Sequence, residues 1–136
     1  MVEVAVCYEG NLRCKATHIP SGATLFTDAP IDNHGKGEAF SPTDLVAAAL
    51  STCMLTVMGI VAQKHGVNLE GMTATTHKQM NTNGPRRIGS LRTTITIPLP
   101  HDYPQRDLLE NAAHTCPVHK SLISEIDAAV VFVWNG

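Results

Sequence analysis

Thiol chemistry is the first possibility these residues raise. Four cysteines, Cys7, Cys14, Cys53 and Cys116, lie in a chain of 136 residues. The first residues carry Glu3 and show neither a basic start nor a cleavage site, so no export signal is expected and a cytoplasmic location is. In that reducing compartment cysteines are more often buried, metal-bound or catalytic than joined in a structural framework. Cys116 precedes Pro117, and proline favours the first position of a helix, which puts Cys116 at or beside an N-cap. Unpaired N–H groups and the positive dipole end there favour a thiolate, and His114, His119 and Lys120 lie close in sequence. Cys53 lies inside a long apolar stretch, where taken alone it reads as a core cysteine.

Other chemistries have less behind them. His114-x-Cys116-x-x-His119 holds metal-ligand types, but a fourth ligand would have to come from Cys53, His77 or elsewhere, and no CxxC or HExxH motif accompanies it. No metal and no cofactor are therefore expected. There is no GxSxG elbow to suggest a Ser/His/Asp hydrolase. Cysteine-based acyl transfer stays chemically open at Cys116, although nothing in the spacing singles it out. A formal net charge of −2 with scattered Lys and Arg leaves no footprint for nucleic acid.

These residues must be positioned by elements of a single domain, expected over residues 1–136. Hydrophobic residues make up 43% and aromatics only 4%, so a core must be built from aliphatic side chains. Val2, Val4 and Val6 alternate with Glu3 and Ala5, predicting a strand with one covered face. Gly10-Asn11 and Pro20-Ser21-Gly22 can turn the chain into strands over 12–18 and 23–28, followed by an irregular loop over 29–40. Ser41-Pro42-Thr43-Asp44 then announces a helix, with Ser41 as N-cap and Asp44 closing a capping box. That helix should run to about His65 and end at Gly66. Its Leu45–Ala62 stretch is uncharged and of near-spanning length, yet a core helix buried on most faces is the better expectation than a membrane span. Long strands are expected over 67–80 and 86–98, helices over 104–115 and 117–124, and a closing strand over 128–134. This order predicts an α+β fold.

Two motifs now stand out together. Ser41-Pro42-Thr43-Asp44-Leu45 followed by Ala47-Ala48-Ala49-Leu50-Ser51-Thr52-Cys53-Met54 resembles the helix and first cysteine of the OsmC/Ohr family, the osmotically inducible and organic-hydroperoxide-resistance proteins. Ala112-Ala113-His114-Thr115-Cys116-Pro117-Val118-His119-Lys120-Ser121-Leu122 resembles its second cysteine motif, and the terminal strand ending at Trp134 also fits. The resemblance implies the OsmC-like fold, with antiparallel strands wrapped around a long buried central helix, in an intertwined homodimer whose active sites lie at the interface. It implies a peroxidase acting on organic hydroperoxides, with Cys53 attacking, Cys116 resolving, and an external dithiol of lipoyl or thioredoxin type as reductant. Family members activate the attacking cysteine with an arginine held by an acidic residue near the start of the long helix. Here that acid would be Asp44, and Arg13 is the expected arginine, with Arg86 and Arg87 as rivals. Cys7 and Cys14 match nothing in the family and read as packing residues. A non-catalytic module on the same fold, binding a small apolar molecule or sensing redox state, remains the alternative.

Overall fold

The computed structural model describes residues 1–136, which divide into two compact units, Met1–Val46 and Ala47–Gly136. In the first unit, β1 (Val4–Gly10), β2 (Arg13–His18) and β3 (Thr24–Asp28) form an antiparallel meander in the order β1-β2-β3. Gly10 and Asn11 turn the chain with positive φ (84° and 55°), as their residue types allow. The alternation of β1 does not bury a face: Val4 and Val6 are 58% and 63% exposed in the single chain, and Tyr8 is bare as well. The register also separates two cysteines. Cys7 lies opposite Lys15 and Cys14 opposite Tyr8, so the neighbouring positions put the two thiols on opposite faces of the sheet.

The long helix α1 spans Pro42–Lys64. Its start is the expected capping box: the Asp44 N–H donates to Ser41 Oγ at 3.1 Å, and the Ser41 N–H donates to Asp44 Oδ2 at 2.9 Å. Its end is a Schellman motif. The Val67 N–H reaches the Ala62 carbonyl at 2.9 Å, the Gly66 N–H reaches Gln63 at 3.3 Å, and Gly66 takes a φ of 67°. In contrast to the expectation of burial on most faces, α1 buries one stripe, Leu50, Met54, Met58 and Ala62, at the i, i+4 spacing of a single helix face. Ala49, Thr52, Thr56 and Ile60 are exposed along another side. A run that is small and apolar all round carries no signal for which side a single chain covers.

In the second unit, β4 (Thr73–Met80) pairs antiparallel with β5 (Ile88–Ile97), and β5 pairs parallel with β6 (Val130–Trp134). The expected strand over 67–80 begins six residues later, because Val67 and Leu69 are buried in the turns that follow α1, and Gly71 adopts a φ of 90°. Leu91, Thr93, Ile95 and Ile97 point inward from β5. The parallel pairing needs a long crossover, and α2 (Arg106–Ala113) and α3 (Pro117–Ser121) occupy it. Leu109, Ala112 and Ala113 complete the core from α2. Glu110 ties that helix to β6 by accepting from Trp134 Nε1 at 2.8 Å while pairing with Arg106 at 3.1 Å.

Candidate functional site: a pair of facing thiols

Cys53 lies in the middle of α1, half-buried, between the inward stripe and the exposed Thr52 and Thr56. Cys116 occupies the N-cap of α3, as its place before Pro117 predicts, and it is fully buried. Three local contacts fix it. The Cys116 N–H donates to the Ala113 carbonyl at 3.3 Å, Thr115 Oγ1 donates to Ala112 at 2.7 Å, and the His119 N–H donates to Cys116 Sγ at 3.5 Å.

The two thiols are neighbours. Cys53 and Cys116 are both free thiols, near enough for Cys53 to act on the protonation of Cys116. Burial, followed by the neighbouring Cys53 side chain, pushes the Cys116 thiol above its ordinary pKa. The N–H groups of His119 and Val118 pull the other way without prevailing. This reverses the expectation, drawn from its N-cap position, that the Cys116 thiol is made more acidic there. The capping geometry is present, but a five-residue helix with two N–H donors does not offset the loss of solvent. Of the residues close to Cys116 in sequence, His114 sets its ring edge-on to Phe132 at 5.8 Å between centroids.

Arg13 belongs to the first unit, on β2. Its Nη2 lies 2.6 Å from Glu38 Oε2 and 3.4 Å from Asp28 Oδ2, and these carboxylates hold the guanidinium firmly charged. Asp28 is only 1% exposed, and its carboxyl is held below the usual value, first by the Glu38 N–H at 3.1 Å and then by Arg13. The carboxylates that hold Arg13 are Glu38 and Asp28, and Asp44 closes the cap of α1. A signal for Asp28 was present in the sequence, since a hairpin turning on Pro20-Ser21 sets residues 13 and 28 opposite each other. Glu38 sits in the irregular loop and gave none. Of the rival arginines, Arg87 donates from Nη1 to the Ile88 carbonyl at 2.9 Å. Nowhere do three His, Cys, Asp or Glu side chains converge as a metal site would require, the His114, Cys116 and His119 set included.

Comparison with known proteins agrees with this architecture. The family model described as OsmC-like protein matches residues 35–130. A crystal structure from Psychrobacter arcticus 273-4, named for an osmotic stress induced and detoxification response, is 42% identical and superposes with a TM-score of 0.90 over 97% of this chain and 96% of that one. An organic hydroperoxide resistance protein OsmC from Legionella pneumophila is 18% identical, with a TM-score of 0.76 over 98% of this chain and 96% of that one. An organic hydroperoxide resistance protein from Vibrio cholerae, with captopril bound in one of its active sites, is 22% identical, with a TM-score of 0.75 over 100% and 92% of the two chains. The last two show the shared fold. No curated protein sequence matches the chain. By its family match and its likeness to the Psychrobacter protein, this chain belongs to the OsmC-like protein family.

Proposed function

We propose that the chain is a thiol peroxidase that reduces organic hydroperoxides, with Cys53 as the attacking cysteine and Cys116 as the resolving one. The observation that carries this reading is the proximity of the half-buried Cys53 thiol to the buried Cys116 thiol, whose pKa burial and that neighbour raise. Attack falls to the thiol with access to substrate. The Cys53 thiolate displaces the far oxygen of R–O–O–H as alkoxide, which takes up a proton to leave as R–OH, and Cys53 becomes a sulfenic acid. The thiol of Cys116 then attacks the sulfenic sulfur, forming the Cys53–Cys116 disulfide and releasing water. A neighbouring thiol held protonated until needed guards the sulfenate against further oxidation. An external dithiol of lipoyl or thioredoxin type reduces the disulfide by exchange and leaves as its own disulfide. No metal or cofactor enters these steps.

The working unit in this reading is a homodimer. Val4, Val6, Tyr8, Leu25 and Phe26 stand exposed on the first sheet, and Ile60 on α1, a display of apolar surface typical of a chain that buries it against another. Arg13, already ordered by Glu38 and Asp28, is the cation we assign to thiolate activation in that dimer. The reducing cytoplasm is the compartment that suits such a dithiol cycle. A second reading, small-molecule binding or redox sensing without turnover, is favoured by one observation: the Arg13 guanidinium is already paired with two carboxylates. Consumption of cumene hydroperoxide with dihydrolipoate as reductant separates the two, since only the peroxidase sustains turnover.

A further inference from the structure

A chain of three hydroxyls joins α1 to the sheet of the second unit. Ser51 Oγ lies 2.5 Å from Thr76 Oγ1 on β4, and Thr76 Oγ1 lies 2.8 Å from Thr93 Oγ1 on β5. Thr93 is 1% exposed, so its hydroxyl has no recourse to water. The proton order follows from the end of the chain. Ser51 Oγ donates to the Ala47 carbonyl at 3.0 Å, and a hydroxyl has one proton to give. Thr76 must therefore donate to Ser51, and Thr93 to Thr76, so the three bonds run in one direction and reinforce one another.

Ser51 and Cys53 are two residues apart on α1, about 200° around the helix, so the hydroxyl anchor and the thiol lie on nearly opposite sides. Rotating the helix by about 20° would carry a side chain at roughly 5 Å from the axis through about 2 Å. That displacement is as long as a disulfide bond itself, whose geometry tolerates little error. The apolar stripe of α1 (Leu50, Met54, Met58 and Ala62) buries one face but has no side-chain hydrogen bond that would fix the rotation directionally.

From this geometry we infer that Ser51, Thr76 and Thr93 are positioning residues, a directional clasp that sets the rotation of α1 and so aims the Cys53 thiol at Cys116. The inference rests on the reading of Cys53 and Cys116 as a redox pair, and it extends that reading to residues that touch neither sulfur nor substrate. It is tested by the equilibrium of the Cys53–Cys116 disulfide with glutathione, followed by mass spectrometry in the full-length protein. Thr76→Val, nearly isosteric, breaks the middle of the clasp. Ser51→Ala breaks its helix end while improving helix propensity. Both are expected to lower the equilibrium constant for disulfide formation at least threefold, and Thr76→Ser, which keeps the hydroxyl, to stay within twofold of wild type. Should Thr76→Val fail to fold, Ser51→Ala decides alone. An unchanged constant in the folded variants, whatever happens to their melting temperature, overturns the clasp while leaving the redox pair standing. A wild-type protein that forms no Cys53–Cys116 disulfide overturns both.

Discussion

The buried Cys116 thiol lies beside the half-buried Cys53 thiol of α1, and burial, followed by that neighbour, raises the Cys116 pKa. That relationship divides the labour proposed above, and it has a consequence for stability. The folded-state pKa of Cys116 is raised above the ordinary 9.0. As pH climbs past that value the unfolded chain loses its thiol proton first, so it is the folded state that binds more protons and stability falls. The contribution is fully present below pH 9 and is lost as pH rises through the folded value. Urea unfolding of the reduced protein between pH 7 and 10 is expected to show this decline, and Cys116→Ser to show a shallower one. Equal slopes would contradict it.

The acid side depends on Asp28. Its folded pKa lies below the ordinary 3.8 because it accepts backbone N–H groups and faces Arg13. The stability it supplies is present above the unfolded value and is lost as pH falls through the folded one. Asp28→Asn is expected to flatten the loss of stability between about pH 4 and pH 2 seen in the wild type. It is also expected to loosen Arg13, shown by faster amide exchange at Glu38, whose N–H loses its charged acceptor.

Both ends of α1 carry local signals whose cost can be measured. Ser41→Ala removes the acceptor for the Asp44 N–H and is expected to cost about 1 kcal/mol in unfolding free energy. Gly66→Ala meets no neighbour within 4 Å, so its cost is purely that of placing a side chain at a φ of 67°, about 1 to 2 kcal/mol. Chemical denaturation of each variant checks these values, and a neutral Gly66→Ala would show that the turn relaxes.

These two ends, and the N-cap at Cys116, were legible in the sequence because capping and turn chemistry are local: Ser, Pro, Asp and Gly at fixed offsets admit few alternatives. The buried side of α1 was not legible. Leu50, Met54, Met58 and Ala62 sit in a run where every side is small or apolar, and only the neighbouring elements choose among them. Val67 and Leu69 misled in the opposite way, since they are apolar and evenly spaced like a strand yet are buried in turns after the helix. The partners of Arg13 divide similarly. Asp28 follows from hairpin register, whereas Glu38 arrives through a loop whose path no periodicity encodes. The acidity of Cys116 was misjudged because helix position is visible in a sequence and desolvation is not.

The most direct test of the central claim is peroxide consumption by purified protein, with cumene hydroperoxide and hydrogen peroxide as substrates and dihydrolipoate as reductant. The account predicts turnover favouring the organic peroxide and its abolition in Cys53→Ser. In Cys116→Ser it predicts no Cys53–Cys116 disulfide, with Cys53 oxidised by one peroxide to sulfenic acid and by a second to sulfinic acid, read by mass spectrometry. No turnover by the fully reduced wild type, or turnover that survives Cys53→Ser, would contradict it.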